Sequence, residues 1–358
     1  MFLLTKTLLV DGNYLFKRSG SLPTKSYNPR GQDISALYSF MVSLRKYVKE
    51  FNINKVVVAW DCPSGHGGKL RYDIYPDYKA NRKSKSWYNG IQLTDKEAFR
   101  EEEEKSLLWQ KKRVQQYIEN LFIRQIESEF IEGDDLIAGY TQNNCNTEHI
   151  IIFTNDFDLT QLLTYKNVSV YLAGKNVLVN KDNFFINFKH DVQNVKLLKT
   201  LTGCSSDNIF GVAGLGESTL ITHFPEIKRR RVELKEVIDK AKILNEERVK
   251  NKKKPLKVLD NIVNGVFNDL GEKGIEHYEL NEKIIDLLNP MLTEEAIKDL
   301  DDIGTLPLDI EGRTSKNLLN MMHVDGFLIN FPNSDFINFV DPFRSLIIRE
   351  KEFSKKSL

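Results

Sequence analysis

Strand-like apolar runs and helical stretches alternate in the first half of the chain. The runs are "TLLVDG" (7–12), "KVVVAWD" (55–61), "HIIIFTND" (149–156) and "VSVYLAG" (168–174), with "FIRQI" (122–126) as a candidate fifth strand. Residues 34–51 carry apolar side chains every three or four positions, which predicts an amphipathic helix between the first two runs. Uninterrupted apolar strands that alternate with helices are typical of a parallel sheet with both faces covered. The pattern therefore predicts an α/β fold with a mainly parallel, twisted sheet flanked by helices.

A long polar insert interrupts this pattern at about residues 63–112. The run "DKEAFREEEEKSLLWQKKRVQQYI" predicts a long helix in and after the insert, with acidic residues preceding basic ones. After about residue 190 the strand pattern stops, and the chain has the pattern of helices joined by loops. We therefore predict an α/β domain over residues 1–190 that contains the insert, followed by a mainly helical domain over residues 191–358.

Composition narrows the class of protein. The chain has 358 residues, 41% of them hydrophobic, and no apolar run as long as a membrane span or a signal peptide. Its three cysteines show no paired spacing, which suits a reducing compartment, and its six histidines are scattered singly, which argues against a zinc site. We expect a soluble cytoplasmic protein that binds no membrane, located in the host cytoplasm if it is viral.

The net charge of +1 conceals two basic segments. Residues 69–85 contain six Lys or Arg against two Asp, and residues 228–257 contain thirteen basic against five acidic residues, so the remainder is net acidic. Basic segments around an acidic centre suit a protein that grips a polyanion and holds metal ions. The alternative is that the basic residues of both segments only form solvent-exposed surface. This alternative includes the run at 250–257, at the end of the second segment.

Acidic residues follow the predicted strands at their carboxyl ends. They are Asp11, Asp61, Asp156 and Asp158, and the segment "EGDDLIAGY" adds Glu132, Asp134 and Asp135 at the start of an apolar helix. One such Asp is commonly a helix cap, but the carboxyl ends of parallel strands share one edge, where these folds place their sites. Carboxylates crowded together need bound cations. Oxygen ligands without His or Cys favour Mg²⁺ or Mn²⁺.

Two divalent ions about 3.5–4 Å apart are the usual device for in-line cleavage of phosphodiesters. Phosphate-monoester hydrolysis or phosphoryl transfer is the alternative chemistry, and the lack of a Walker motif argues against an NTPase. The segment "GVAGLG", with Gly211, Gly214 and Gly216, precedes a helix-like start and can seat a phosphate on exposed backbone N–H groups. A plain helix–helix turn is the other reading. The basic residues at 228–231 favour nucleic acid.

Six segments together resemble the structure-specific 5′ nuclease family, which comprises flap endonucleases and 5′–3′ exonucleases. They are "LLVDGNYLFKR", "VVVAWD", "YPDYKANRKSK", "EGDDLIAGY", "TNDFDLTQLL" and "SDNIFGVAGLG", and they cover residues 7–225. With its long insert and extended C-terminal part, the chain is most similar to the phage enzymes called RNase H. The resemblance implies a PIN-like sheet with two metal sites, a helical arch formed by the insert, and a duplex-binding helix–turn–helix at about 195–230 that often carries K⁺.

By motif position, the resemblance assigns roles to single residues. The first metal would be held by Asp11, Asp61, Glu132 and Asp134, with Asp135 at its edge, and the second by Asp156, Asp158 and Asp207. Lys79 would contact the scissile phosphate, Arg82 would help to neutralise it, and the end nucleobase would stack on Tyr78. Further DNA contacts are assigned to Arg71 and to the turn of Gly211, Gly214 and Gly216. Trp87 and Tyr88 of the insert either stack on bases or pack.

One position departs from the family pattern. The family's segment before "DNI" has the form Gly-Asp-x-x-Asp, whereas this chain reads "GCSSD" and places Cys204 where the first Asp is expected. If Cys204 and Asp207 share a helix, both side chains point toward the second metal. The alternative is that Cys204 packs as a small apolar residue.

The sequence therefore predicts a nuclease that uses two Mg²⁺ or Mn²⁺ ions and cleaves near the 5′ ends of DNA or RNA–DNA duplexes, with or without flaps. Removal of primers in phage DNA replication would be its role, as a monomer that a sliding clamp or a single-strand DNA-binding protein recruits. The second hypothesis is a DNA-structure-binding protein of the same fold with weakened or lost catalysis, which the substitution at Cys204 motivates.

Overall fold

The computed structural model describes residues 4–62, 68–80, 95–268, 271–272, 274–332 and 335–356. Six strands form the main sheet, namely β1 (Thr5–Asp11), β2 (Lys55–Ala59), β3 (Arg124–Ile126), β4 (Glu148–Thr154), β5 (Val168–Leu172) and β6 (Val177–Asn180). Their order is β3-β2-β1-β4-β5-β6, and every neighbouring pair is parallel except β5 and β6. The predicted mainly parallel sheet is confirmed, and "FIRQI" supplies a strand. The antiparallel β6 was not predicted.

Helices cover the sheet and form most of the C-terminal half. They span Gly12–Gly20, Ser35–Glu50, Lys69–Ile74, Asp95–Asn120, Gly133–Asn144, Lys181–Phe188, Val195–Thr202, Glu217–His223, Leu234–Lys250, Lys257–Asn264, Glu276–Ile285, Glu294–Thr305, Ser315–Val324, Phe336–Val340 and Arg344–Lys356. The long helix predicted after the insert is therefore present. No helix in the described ranges combines the length and the apolar character that crossing a bilayer requires.

Two short strand pairs correct the prediction that only helices and loops follow residue 190. Strands β7 (Gly203–Cys204) and β8 (Ile209–Phe210) pair antiparallel, as do β9 (Val266–Phe267) and β10 (Gly271–Glu272). The pair β7–β8 lies between the helices Val195–Thr202 and Glu217–His223. The predicted helix–turn–helix at 195–230 is therefore interrupted by a hairpin and stays a prediction.

Side-chain alternation along the strands builds two hydrophobic layers. In β1, Leu8 and Val10 join the cluster on one face of the sheet and Leu9 joins the cluster on the other, as the two-residue period of a strand requires. Both layers include residues far along the chain: Leu318 and Phe339 complete the first, and Leu300 the second. The hydrophobic core therefore crosses the domain boundary proposed at residue 190. A third cluster holds residues 197–278 together.

Candidate active site

Acidic side chains from separate elements line one cleft at the carboxyl edge of the sheet. Asp11 is the last residue of β1, Asp61 and Asp156 each lie two residues beyond the ends of β2 and β4, and Asp134 is in the first turn of the helix Gly133–Asn144. The cleft, of about 340 Å³, is lined by Asp11, Asp61, Lys79, Glu132, Asp134, Asp156 and Asp207, together with Asn13, Tyr14, Lys17, Asn155 and Ser206. The structure thus brings together most of the acidic residues that the sequence singled out.

Local hydrogen bonds fix the orientation of these carboxylates. Asp11 caps the helix Gly12–Gly20 by accepting from the Tyr14 N–H at 2.8 Å, and its second oxygen accepts from the Thr154 hydroxyl at 3.0 Å. Asp61 accepts from the Gly133 N–H at 2.8 Å. A Cβ at Gly133 would lie 3.0 Å from that same Asp61 oxygen, so glycine permits the close approach. Asp11 is therefore both a cap and a wall of the cleft.

Burial, and then crowding, raises the pKa values of two acids in the cleft. Burial, together with the charges of Asp61 and Asp156, raises the pKa of Asp11 to about 7. Burial also raises the pKa of Asp134 well above its usual value, with the charges of Asp156 and Asp11 adding to the effect. Ionised together, these groups repel one another unless a cation lies among them. An all-oxygen donor set of this kind fits hard divalent ions such as Mg²⁺ or Mn²⁺.

Lys79 contacts both Glu132 and Asp207 at the wall of the cleft. Its ammonium lies 2.6 Å from a Glu132 oxygen, and its backbone N–H donates to the Asp207 carbonyl at 2.8 Å. Burial opposes the charged form, but the carboxylates of Glu132 and Asp207 raise the pKa of Lys79 above its usual value. Lys79 is therefore a cation held at the cleft wall. Arg82, predicted beside it, lies outside the described residues, as do Trp87 and Tyr88.

Arg71 and Asp135 are placed differently from the prediction. Arg71 is 4% exposed, donates from two guanidinium nitrogens to the two oxygens of Asp135, and donates from Nε to the Ile284 carbonyl. Asp135 also accepts from the Met291 N–H at 3.0 Å. The pair neutralises itself in the interior, so Arg71 is not presented to DNA and the Asp135 oxygens are already engaged. Spacing alone gave no sign of this pairing.

Tyr78 is also buried instead of offering a stacking face. Its side chain is 4% exposed, its hydroxyl donates to Glu132 at 2.9 Å, and its ring meets Tyr72 edge-on at 5.6 Å between centroids. A base would have to displace these neighbours before it could stack on the ring. In this structure Tyr78 orients Glu132, which the sequence did not predict.

A second group of potential ligands lies beside the cleft. One ligand atom each from Asp158, Cys204 and Asp207 lies within 4.8 Å of the other two. The assumption that Cys204 shares a helix with Asp207 was wrong, because Cys204 belongs to β7 and Asp207 ends the 3₁₀ helix Ser205–Asp207. Burial, with the charge of Asp156, raises the pKa of Asp158 to about 6. Lys199, which the sequence analysis missed, places its ammonium 2.9 Å from Asp158.

The glycine turn is shaped by two specific requirements. A Cβ at Gly211 would lie 2.2 Å from the Thr202 carbonyl oxygen, and Gly214 has a φ of +78°. Both positions therefore need glycine for close approach or for left-handed backbone. Gly216 caps the short helix Glu217–His223 without either need. The shape of the turn is explained, and its contact with DNA stays a prediction.

Comparison with known proteins identifies the family. Residues 6–189 match the 5′-3′ exonuclease N-terminal, resolvase-like domain. A 5′-3′ exonuclease of Mycoplasmopsis pulmonis is 28% identical over 230 residues, which is 63% of this chain and 68% of that protein. DNA polymerase I of Bacillus subtilis is 28% identical over 292 residues, which is 78% of this chain and 30% of the polymerase. The bacteriophage T5 flap endonuclease, solved with DNA and metal ions, superposes with a TM-score of 0.57 at 18% identity, covering 89% of this chain and 99% of that one.

The match spans about half of the chain and includes the strands that carry the acidic cleft. The chain belongs to the structure-specific 5′ nuclease family, and it is a hydrolytic nuclease of the 5′-3′ exonuclease type. The T5 likeness shows a shared fold.

Proposed function

We propose that this protein is a metal-dependent, structure-specific 5′ nuclease that cleaves phosphodiester bonds near the 5′ ends of DNA or RNA–DNA duplexes. The observation that carries the proposal is the meeting of Asp11, Asp61, Glu132, Asp134 and Asp156 with the ammonium of Lys79 in one cleft. Carboxylates suit divalent metal ions, and a fixed cation beside them suits the charge that develops on a phosphate during cleavage.

Two sets of side chains would hold the ions. The first set is Asp11, Asp61, Glu132 and Asp134, and the second is Asp156, Asp158 and Asp207. When bound, divalent ions supply an activated water and stabilise the leaving oxygen of an in-line displacement. Asp135 is left out because Arg71 and Met291 occupy its oxygens.

Lys79 positions charge for the scissile phosphate. It now pairs with Glu132 at 2.6 Å, and a phosphate in the cleft would compete for the same ammonium. Its backbone N–H is tied to the Asp207 carbonyl, so the base of the side chain is held while the ammonium can exchange partners. A charge set in advance stabilises the transition state without reorganisation. Arg82 would add a second positive charge.

The substrate would be gripped by basic and glycine-rich segments. In this proposal the duplex backbone lies on the turn of Gly211, Gly214 and Gly216, with K⁺ as a bridging ion. It also contacts the exposed basic residues that follow at 228–231. The T5 enzyme, solved with DNA and metal ions, supports such a use of the fold. The polymerase relative supports a role in DNA replication.

We infer that the biological role is removal of RNA primers or flaps, in phage replication if the chain is viral. The protein would act as a cytoplasmic monomer, and a sliding clamp or a single-strand-binding protein would recruit it. The competing function is recognition of DNA structure with little cleavage. Cys204 favours that alternative, because it replaces a carboxylate of the family pattern with a thiol at the second group.

A 5′-labelled flap duplex separates the two functions. The assay compares binding and cleavage in Mg²⁺ with the same reaction in EDTA, for wild type and for Asp11→Asn. Metal-dependent release of short 5′ products by wild type alone supports the nuclease. Tight binding of the flap by both proteins without products in Mg²⁺ or Mn²⁺ would establish the binding protein instead.

A further inference from the structure

Cys204 lies among carboxylates at the edge of the cleft. Its Sγ and single carboxylate oxygens of Asp158 and Asp207 lie within 4.8 Å of one another, and all three residues are partly exposed. The thiol is 3.5 Å from an oxygen of Asp207. The backbone fixes the position of Cys204. Gly203, with a φ of +74°, ends the helix Val195–Thr202 and starts β7, in which Cys204 is the next residue.

The surroundings of this group already attract a positive charge. Lys199 sends its ammonium to Asp158 at 2.9 Å, and the Ser206 hydroxyl lies 3.1 Å from the Cys204 sulfur. The group therefore offers two carboxylates and one sulfur as donors, and an ammonium is already drawn to one of the carboxylates.

We propose that Cys204 is a direct metal ligand, so that the second site of this protein prefers a borderline cation such as Zn²⁺ or Co²⁺ to Mg²⁺. This inference rests on the proposed function, since it concerns one of the two metal sites assigned there. On binding, the thiol releases its proton to solvent and a sulfur–metal bond forms, with no change of oxidation state.

The preference follows from ligand chemistry. Thiolate is a soft ligand that selects zinc-like ions, whereas Mg²⁺ demands oxygen and keeps its water. A family pattern with Asp at this position would give an all-oxygen site, so the substitution changes which metal the site selects.

Cobalt reports a thiolate ligand directly, because a cysteine-bound Co²⁺ ion absorbs in the near ultraviolet. The full-length protein is titrated with Co²⁺ while absorbance is recorded, and affinities for Co²⁺ and Mg²⁺ are measured by calorimetry. The variants are Cys204→Ser and Cys204→Asp. Cys145→Ser is the matched control, because Cys145 is buried away from this group and donates to the Gln142 carbonyl. Cys62→Ser tests the cysteine that adjoins Asp61.

We expect a thiolate band in wild type, Cys145→Ser and Cys62→Ser, and none in either Cys204 variant. Groups that merely orient a ligand change metal affinity by about 10–100-fold, so Cys204→Ser should weaken Co²⁺ at this site at least tenfold. Cys204→Asp should bind Mg²⁺ more tightly than wild type. The Asp variant also keeps the test open if Cys204→Ser folds poorly, as circular dichroism would reveal.

Three other outcomes would overturn either the role of Cys204 or the proposed metal dependence. Calorimetric Co²⁺ binding without a thiolate band would overturn the role of Cys204 and leave the proposed metal-dependent nuclease standing. A band that survives Cys204→Ser and disappears in Cys62→Ser would assign the ligand to Cys62 and overturn the inference. No binding of any divalent ion would refute the proposed metal dependence itself.

Discussion

Asp11→Asn should stabilise the metal-free protein while abolishing cleavage. The pKa of Asp11 is raised to about 7 from 3.8, mainly by burial. Each pKa unit is worth about 1.4 kcal/mol, so holding Asp11 ionised costs the fold about 4 kcal/mol at pH 8.5. The amide has a single oxygen, which accepts from the Tyr14 N–H, so the hydrogen bond from the Thr154 hydroxyl is lost. That loss costs about 1 kcal/mol. We expect a net gain of about 3 kcal/mol.

The gain has a defined pH dependence. Because the folded-state pKa lies above the unfolded one, wild-type stability is complete below about pH 4 and is lost as the pH rises to about 7. The variant cannot lose a proton at this position. Its advantage should therefore be small at pH 4–5, grow to pH 7 and stay constant above it.

Chemical denaturation in EDTA at pH 5, 7 and 8.5 measures this advantage, and repetition in saturating Mg²⁺ should shrink or reverse it because the variant lacks a ligand. Asp239→Asn, on the exposed face of the helix Leu234–Lys250, is the matched control and should change little. An Asp11→Asn protein that is no more stable than wild type at pH 8.5 in EDTA would refute the reasoning that the ionised Asp11 carboxylate destabilises the metal-free fold.

Three further predictions follow from the same contacts. Lys79→Ala should slow single-turnover cleavage about 100-fold while the dissociation constant for flap DNA changes only a few-fold, since its charge acts in the transition state; equal losses in both would make Lys79 a generic backbone contact. Cys204→Asp should lower the Mg²⁺ concentration for half-maximal cleavage and narrow the advantage of Mn²⁺, and an unchanged or higher midpoint in a Mg²⁺ titration would contradict this. Arg71→Met should cost about 3–5 kcal/mol in urea denaturation, because it leaves the Asp135 carboxylate buried without its partner. An Arg71→Met protein as stable as wild type would show that the pair is not the support we describe.

Sequence patterns predicted the centre of the sheet because its parallel strands are buried on both faces. Strand β4 has four apolar residues in a row and six of its seven residues buried, so its pattern is unambiguous. Strand β6 has only four residues at the sheet edge, with one buried and one exposed, so it is too short to show a clear two-residue alternation. The packing of Leu318 and Phe339 on the first layer depends on distant tertiary contacts that no local period encodes.

The residues of the candidate site also fall into those that the sequence could predict and those that it could not. Asp11, Asp61 and Asp156 were predictable because each lies at the end of a buried strand or just beyond it, and the carboxyl ends of parallel strands meet at one edge of the sheet. The ion pair of Arg71 with Asp135 joins residues 64 positions apart, so it could not be predicted from spacing. Tyr78 and Arg71 were assigned to DNA although both are buried, because their partners, Glu132 and Asp135, are distant in the sequence.

Cleavage polarity tests the central claim most directly. A flap duplex carries different fluorophores on the 5′ and 3′ ends of the flap strand, and products are resolved by length over a single turnover in Mg²⁺ and in EDTA. We predict short products that carry the 5′ fluorophore and a long remainder that carries the 3′ one, only with metal. Shortening from the 3′ end, cuts scattered through the strand, or equal cleavage in EDTA would contradict a metal-dependent 5′ nuclease.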